Sequence, residues 1–296
     1  MRLVTRGDLD GLTSAVLIST MEEIDSIELI HPQDITDNNF EVTENDILAN
    51  LPYHPKCALW FDHHLLTNSN IKPPENFKGN HALSPSAARV IFDYYASDKL
   101  KKYEFLVQET DRLDSAQLTL EDILAPQGVI LLGFTIDGRT GIVQFKEYFM
   151  SLIQWLKSMP IDEVLKKSEV AVRARFLKDE NIHFRKILKE NSLLDEKMIL
   201  TDFRRIDEVP VGNRFLVYTL FPQANISLRL QWGPKKSFVA ATLGHSIINR
   251  TSKVNCGEIC SQFGGGGHRG AGAVPLMLEY AEDQISQIIQ MVKEGG

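Results

Sequence analysis

Residues 57–64 have the sequence CALWFDHH, and this stretch decides the fold that we expect. Its first five residues, Cys57–Phe61, form an apolar run suited to a strand in the middle of a sheet. The run ends in three polar residues, Asp62, His63 and His64. Because ligands of α/β sheets bind beyond the carboxyl ends of the strands, we expect a functional site where this strand ends.

Short runs upstream predict three more strands, at Arg2–Thr5, Ile27–His31 and Asp46–Asn50. The first is followed by an acidic turn at 7–11, GDLDG, and by a helical pattern over Leu12–Met21. Strand, turn and helix in this order open an α/β unit. Polar side chains again fall at the predicted strand ends, namely Asp8, Asp10 and Asn50.

The character of the chain changes after residue 160. Residues 161–195 are charged, helical in pattern and poor in glycine and proline, which predicts a helical connector between domains 1–160 and 196–296. The second domain is expected to be a smaller α/β domain with a mixed sheet. Its predicted strands are Met198–Phe203, Arg214–Phe221, Ile226–Gln231 and Ser237–Leu243.

A glycine-rich stretch near the carboxyl end, residues 263–273, has the sequence FGGGGHRGAGA. Four glycines without Cβ atoms, Gly264–Gly267, allow the backbone to lie close to a ligand and to turn N–H groups towards an anion. His268 and Arg269 add donors and positive charge. A flexible linker is disfavoured because an apolar segment, Ala271–Met277, follows at once. The spacing fits G-x-G-x-x-G, but a helix is predicted before it and a strand after it, the reverse of a dinucleotide-binding motif.

Composition excludes several classes of protein. The formal net charge of −7 argues against a broad nucleic-acid surface, so we expect no long duplex as partner. Three cysteines with no C-x-x-C pair indicate a reducing compartment, and no apolar run is long enough for a membrane span. We expect a cytoplasmic protein that does not bind membranes.

The polar residues at the strand ends suit a metal site. Asp8 and Asp10 could hold hard cations, although Asp-x-Asp-Gly is also an ordinary turn sequence. Adjacent histidines after a strand point in different directions, so one of His63 and His64 could bind a metal while the other faces a substrate; the alternative is that Asp62 caps the next segment and the histidines are surface residues. Carboxylate and imidazole ligands suit Mn²⁺, Mg²⁺ or Zn²⁺. The acidic turn, the Asp-His-His motif and the glycine stretch together favour metal-assisted phosphoryl chemistry.

These three motifs resemble those of the DHH phosphoesterase superfamily with its carboxyl-terminal DHHA1 domain, in the oligoribonuclease and exopolyphosphatase-related branch. They lie at both ends of the chain, so the resemblance covers nearly all of it. It implies a parallel-sheet DHH domain with helices on both faces. A helical connector would join it to a smaller mixed-sheet DHHA1 domain, with the two domains facing each other across a cleft.

The resemblance also implies residue roles. A fourth family motif supplies one more aspartate, for which Asp111 is the best match and Asp114 the alternative. Metal ligation is expected from the acidic and amide side chains and one histidine: Asp8, Asp10, Asn50, Asp62, His63 and Asp111. Catalytic contacts with the phosphate are expected from His64, His268 and Arg269. Substrate binding is expected from the same His268 and Arg269 with Gly264, Gly265, Gly266, Gly267 and Arg250.

Two positions depart from the family pattern. Val4 replaces a histidine that many relatives carry, and Asn50 occupies the place of an aspartate that normally bridges two metals. We expect a metal-dependent phosphoesterase acting on a small nucleotide or a short oligonucleotide, with Mn²⁺ or alternatively Mg²⁺ as one or two ions. Polyphosphate hydrolysis and a catalytically weakened nucleotide-binding module remain as alternatives. Homodimer formation is left open.

Overall fold

The computed structural model describes residues 1–66, 71–136 and 145–295. The chain divides into two compact units, one comprising Met1–Leu118 with Ala125–Leu177, the other Thr119–Leu124 with Lys178–Gly296. The division falls inside a long helix, so the predicted connector at 161–195 contributes its first part to one unit and its second part to the other.

The first unit contains a five-stranded parallel sheet with the order β2-β1-β3-β4-β5. This confirms the predicted parallel sheet and its first four strands to within a few residues. The fifth strand was not predicted, because its three residues, Gly-Asn-His, carry no apolar pattern. The strands are β1 Arg2–Thr5, β2 Ser26–Leu29, β3 Asp46–Ala49, β4 Leu59–Asp62 and β5 Gly79–His81.

Helices surround this sheet. In chain order they are α1 Leu9–Met21, α2 Pro32–Thr36, α3 Ala87–Tyr95, α4 Glu104–Asp114, α6 Gly128–Thr135, α7 Phe145–Ser158 and α8 Ile161–Leu165. The helix α5 Leu120–Leu124 belongs to the second unit, and the long helix α9 Ser168–Asn191 is divided between the two units. A 3-10 turn at Asp98–Tyr103 precedes α4.

Alternating side chains of the central strands build two cores, one on each face of the sheet. Leu3, Ile47 and Phe61 point to one face and pack beneath α1, α3, α4 and α7. Their chain neighbours point to the other face and pack around Ile35 of α2 (Val4, Leu48 and Trp60). A strand buried on both faces has a nearly continuous apolar sequence, which explains the run that ends in Asp62.

The second unit contains a six-stranded mixed sheet with the order β10-β11-β9-β8-β7-β6, in which β7 and β8 are parallel and the other pairs antiparallel. The predicted mixed sheet is confirmed. Its strands are β6 Ser192–Asp195, β7 Met198–Asp202, β8 Ile226–Trp232, β9 Phe238–His245, β10 Gly266–His268 and β11 Ala271–Met277; its further helices are α10 Leu216–Leu220, α11 Cys256–Ser261 and α12 Ala281–Gly295.

One predicted strand was wrong. Arg214–Phe221 was expected to be extended, but Leu216–Leu220 forms the short helix α10. The Asn213 side chain accepts a hydrogen bond from the Phe215 amide (3.0 Å) and starts the turn. Tyr218 is then buried, and its hydroxyl lies 2.7 Å from Ser227 Oγ and 2.9 Å from the Gly244 carbonyl oxygen. These tertiary contacts override the preference of aromatic and β-branched residues for strands.

In the ranges that the structure describes, none of the helices combines the length and apolarity needed to cross a membrane.

Candidate active site

The acidic turn places two carboxylates at the amino terminus of α1. Asp8 is the N-cap residue, and its Oδ1 accepts a hydrogen bond from the Gly11 amide (2.8 Å). Only glycine fits at position 11, because a Cβ there would overlap the Arg6 carbonyl oxygen. Asp10 lies in the first turn of the helix rather than in a preceding loop, so both carboxylates have fixed positions beside the end of β1.

Asp10 is a buried carboxylate, with 1% of its surface exposed. Its two oxygens accept hydrogen bonds from the first amides of α3, Ala87 N at 2.9 Å and Ala88 N at 2.8 Å. Burial raises the pKa of Asp10 well above its ordinary value, and the nearby charges of Asp114 and Asp8 add to the effect. The amides stabilise the carboxylate only in part, so the site as a whole favours a bound cation.

His63 completes a group of possible metal ligands. Its Nδ1 lies 2.9 Å from the Ser84 carbonyl oxygen, which can only accept, so Nδ1 carries the proton. Its Nε2 lies 3.7 Å from Asp10 Oδ2 and 3.4 Å from Asp114 Oδ2. The three ligand atoms of Asp10, His63 and Asp114 lie within 4.8 Å of one another. Such an arrangement has the chemistry of a divalent-metal site.

The structure brings Asp114 into this group and does not bring Asp111 into it. Asp111 was the preferred match to the fourth motif, but its carboxylate is paired with Arg89, at 2.8 Å, and with Ser86 Oγ, at 2.6 Å. Asp114 is the last residue of α4 and 32% of its side chain is exposed. Burial raises the pKa of Asp114; the charge of Asp8 acts in the same direction, whereas His63 opposes it.

Asp62 and His64 form a second group with His63. Asp62 Oδ1 lies 2.8 Å from His64 Nδ1, and the ligand atoms of the three residues also lie within 4.8 Å of one another. Burial lowers the pKa of His64, but the hydrogen bond and the charge of Asp62 outweigh it, so the net shift is upwards. A protonated imidazole in this position would suit contact with a phosphate oxygen.

Asn50 lies where the sequence predicted it, beside Asp8 at the end of β3. It adopts a left-handed backbone conformation (φ 56°), and 1% of its surface is exposed. Its Nδ2 donates to Asp8 Oδ1 (3.2 Å), whereas its buried Oδ1 has no hydrogen-bond partner among the described residues. An orphaned acceptor of this kind is costly unless a donor or a cation meets it. Asn50, Asp8, Asp10, His63 and Asp114 therefore fit a divalent cation.

The glycine stretch is a hairpin rather than an open loop. Gly266–His268 forms the edge strand β10, paired with β11 across a turn at Arg269 and Gly270. Backbone amides hold the turn from outside: His245 N donates to Gly270 O (2.8 Å) and Cys256 N donates to Arg269 O (2.9 Å). The hairpin therefore presents a fixed backbone, with the exposed Arg269 at its tip.

Three of the six glycines in residues 263–273 are required by packing within the protein, and a fourth, Gly264, adopts a positive φ of 86° that favours glycine. A Cβ at Gly265 or Gly267 would overlap carbonyl oxygens of β11. A Cβ at Gly257 would lie 2.7 Å from the Gly267 carbonyl, and one at Gly272 would lie 2.6 Å from the Cys256 oxygen. By contrast, a Cβ at Gly266 would meet nothing within 4 Å and one at Gly270 would make only an ordinary contact, 3.9 Å from His245 Nδ1, so at these two positions the absence of a side chain is left to serve a ligand.

Three residues near the glycine stretch, Cys256, Cys260 and Arg250, make contacts within the protein. Cys256 and Cys260 pack in the core beneath β11, and burial raises the pKa of these thiols to about 12 and about 11. Arg250 is exposed and its Nε donates to the Ile247 carbonyl oxygen (3.1 Å).

Sequence reasoning missed the residues that hold the ligands in place. Ser84 accepts from His63, and the amides of Ala87 and Ala88 bind Asp10. A signal for the second contact was present: Ser86 is a recognisable N-cap, and the free amides of a helix amino terminus attract carboxylates. The spatial meeting of α1 with the start of α3 has no local sequence signal.

No protein-family model matches the chain, and no curated protein matches it. Among solved structures, the pGpG-specific phosphodiesterase PggH from Vibrio cholerae is 34% identical, over 100% of this chain and 99% of that chain, with a TM-score of 0.77. The chain belongs to the DHH phosphoesterase superfamily. The predicted superfamily, the two-domain α/β fold and hydrolase activity of the phosphoesterase class are thereby confirmed.

More distant DHH proteins share the fold alone. RecJ from Thermus thermophilus in complex with Mn²⁺ is 13% identical over 99% of this chain and 52% of that chain, with a TM-score of 0.58. An exopolyphosphatase-related protein from Bacteroides fragilis is 13% identical over 99% and 92%, with a TM-score of 0.52. In this DHH phosphoesterase, the acidic and histidine groups at the strand ends could hold a metal ion.

Proposed function

We propose that this chain is a metal-dependent phosphodiesterase that hydrolyses a short linear dinucleotide of the pGpG class. The observation that carries the proposal is the cluster of Asp10, His63 and Asp114 at the strand ends, in a chain with a full-length relative that acts on pGpG. A small substrate agrees with the net charge of −7, which opposes long polyanions.

We further propose that the metal is Mn²⁺, with Mg²⁺ as the alternative. The residues that would hold it are Asp8, Asp10, Asn50, Asp62, His63 and Asp114. When bound, a divalent ion supplies Lewis-acid polarisation of a phosphoryl oxygen and lowers the pKa of water. The chain keeps His63 in the tautomer that offers Nε2, and keeps the Asp10 carboxylate oriented through the amides of α3.

His64 has a different proposed role. Its raised pKa, sustained by Asp62 against the effect of burial, favours an imidazolium that donates to a non-bridging phosphate oxygen. Asp62 would thus act on the substrate through His64 as well as at the metal. Loss of His64 should therefore lower kcat more than it lowers metal affinity.

The glycine hairpin is proposed to bind a phosphate of the substrate. Gly264 and Gly266 leave open space beside the backbone, and Arg269 is exposed at the turn. His268 and Arg250 would supply further donors. A reducing, cytoplasmic location is proposed as well, in agreement with three free cysteines, Cys57, Cys256 and Cys260.

A substrate panel tests the proposal. Turnover with Mn²⁺ would be measured on pGpG, other linear dinucleotides, phosphoadenosine phosphate, cyclic dinucleotides and polyphosphate, with EDTA as the metal-free control. We expect the highest kcat/KM on linear dinucleotides and none with EDTA. Preferential hydrolysis of polyphosphate would favour the alternative enzyme. Nucleotide binding without turnover of any substrate would favour the binding module that Asn50 suggests.

A further inference from the structure

Asp111 and Arg89 form an ion pair whose geometry is fixed at both ends. Asp111 Oδ2 accepts from Arg89 Nε (2.9 Å) and Nη2 (2.8 Å), and Asp111 Oδ1 accepts from Ser86 Oγ (2.6 Å). The two charged side chains are 16% and 21% exposed. Two guanidinium N–H groups that converge as a fork on one carboxylate oxygen, in a partly buried place, restrict orientation more strongly than a single surface contact does.

This pair holds the beginning of α3. Ser86 is the N-cap residue, and its Oγ accepts from the Arg89 amide (3.0 Å) while it donates to Asp111. The same hydroxyl thus links the helix start to α4, the helix that carries Asp111. Because Ser86 is completely buried, no water can take over its bonds without rearrangement of the segment.

The segment held in this way orients two of the proposed metal ligands. The amides that follow Ser86 bind both oxygens of Asp10, at 2.9 and 2.8 Å. Two residues before it, the Ser84 carbonyl oxygen accepts from His63 Nδ1, at 2.9 Å. Rotation or withdrawal of this short segment would therefore misdirect a carboxylate and an imidazole at the same time.

We propose that Arg89 and Asp111 are positioning residues that set the metal affinity of the site through residues 84–88, without contact with the metal. The inference rests on the proposed function, because it assumes that the Asp10–His63–Asp114 cluster binds a divalent cation. Residues that orient metal ligands through hydrogen bonds typically change metal affinity by about 10–100-fold when they are replaced.

The sign of the effect separates positioning from simple electrostatics. Arg89 is a cation, and its removal would also leave the Asp111 charge unpaired. By charge alone, Arg89→Met should tighten the binding of a divalent cation. By positioning, the same change should weaken it, because Asp10 and His63 lose their fixed orientation. Asp111→Asn is less informative, since both effects then weaken binding.

The experiment is a Mn²⁺ titration of the full chain by calorimetry, repeated by electron paramagnetic resonance of free Mn²⁺. We expect Arg89→Met to weaken binding about 10–100-fold, and Arg89→Lys, which keeps the charge but loses the fork, to weaken it less. Ser86→Ala should resemble Arg89→Met. The matched control is Arg112→Met, which removes a cation paired with Glu109 on the same helix as Asp111 and should not weaken binding.

Each outcome decides a specific statement. Unchanged or tighter Mn²⁺ binding by folded Arg89→Met overturns the positioning role and leaves the metal site intact. Absence of divalent-ion binding by the wild type overturns the proposed function as well. Thermal unfolding in EDTA identifies a variant that fails to fold. If Arg89→Met does not fold, the test passes to Arg89→Lys, and a wild-type affinity of Arg89→Lys for Mn²⁺ then overturns the inference.

Discussion

The acidic turn at residues 7–11 and the glycine stretch at residues 263–273 are equally conspicuous in the sequence, but the structure uses them in different ways. In the first unit, the unusual residues belong to the candidate metal site: Asp10 is buried, accepts hydrogen bonds from two amides and lies near other carboxylates. In the second unit, half of the glycines in the stretch serve packing: Gly265, Gly267 and Gly272 make room for neighbouring backbone or core atoms.

The two motifs also differ in their effect on the stability of the fold. A buried carboxylate beside other carboxylates destabilises the fold unless a cation compensates it, so its presence points to a function. A glycine that prevents a clash stabilises the fold, so its presence needs no ligand. On this criterion, Gly266 and Gly270, where a Cβ would meet open space or make only an ordinary contact, are the positions of the stretch that can be assigned to a ligand.

The largest effect is expected at Asp10. Asp10→Asn keeps the shape of the side chain but removes a charge and turns one acceptor into a donor that faces α3 amides. We expect Mn²⁺-stimulated turnover to fall more than about 100-fold, beyond the usual effect of losing a residue behind a ligand. His63→Ala should do the same. The assay is initial-rate hydrolysis with circular dichroism as the folding check.

The control for this prediction is Asp98→Asn, an exposed aspartate paired with Lys101 on the surface of the same unit, which should keep wild-type turnover. If Asp10→Asn and His63→Ala also kept wild-type rates, the strand ends would not be the catalytic site, and the contrast between the two motifs would disappear.

The second prediction concerns stability in the glycine hairpin. Gly272→Ala would place a Cβ 2.6 Å from the Cys256 oxygen and 2.8 Å from Cys260 Sγ, and overpacking of this kind typically costs about 1–3 kcal/mol. Gly266→Ala meets open space and should change the free energy of unfolding by less than about 0.5 kcal/mol. Urea unfolding of both variants measures the difference; equal losses would contradict the division into packing and ligand positions.

The third prediction concerns substrate affinity. If the hairpin binds a phosphate, Arg269→Met should raise KM about tenfold or more, since a hydrogen bond to a charged group contributes about 1.5–3 kcal/mol. Gly266→Ala should raise KM as well, by obstructing the open backbone. Neither change should alter the affinity for Mn²⁺, which calorimetry would check. Weaker Mn²⁺ binding in Arg269→Met would show that the hairpin acts on the metal instead.

The parts of the fold that the sequence predicted are those with local periodic signals. Apolar runs, typical of strands buried on both faces, predicted β1, β3 and β4. The polar residues at the ends of these runs predicted the site, because the carboxyl ends of parallel strands lie at one edge of the sheet. The strand β5 has no such run and was missed. The segment that forms the helix α10 was predicted as a strand because its aromatic and β-branched residues are compatible with a strand as well as with a helix. The hydrogen bonds of Asn213 and of the buried Tyr218 stabilise the helix instead.

The residue types of the site could be predicted from the sequence, but the contacts that each of them makes could not. Asp111 and Asp114 lie three residues apart on α4, and both are carboxylates close to the same helix end. Which of the two joins the cluster depends on Arg89 and Ser86, which are more than twenty residues away in the sequence. Arg89 pairs with the charge of Asp111, and Ser86 donates a hydrogen bond to it. A pairing across two helices leaves no local pattern, so the preferred match fell on the residue that the structure keeps outside the cluster.

The smallest expected effect belongs to Asn50, one of the two positions at which the sequence is expected to depart from the superfamily pattern. Asn50 Nδ2 donates to Asp8 Oδ1 at 3.2 Å, so Asn50→Asp would replace an attractive contact with two adjacent like charges. Without metal, Asn50→Asp should therefore have a lower Tm than the wild type. With saturating Mn²⁺, the added carboxylate should bind the ion more strongly than the amide oxygen does, and the rise in Tm on metal addition should be larger.

The gain in affinity is limited by opposing terms. A unit charge about 4 Å from another contributes about 4 kcal/mol at an effective dielectric constant near 20, but repulsion from Asp8, Asp10 and Asp114 offsets much of the attraction to the cation. We expect Asn50→Asp to tighten Mn²⁺ binding by about tenfold, as measured by calorimetry. The matched control is Asn45→Asp, an exposed position before the same strand that adds the same charge away from the cluster. A smaller Tm response to Mn²⁺ in Asn50→Asp than in Asn45→Asp would mean that the orphaned Oδ1 of Asn50 does not face the cation.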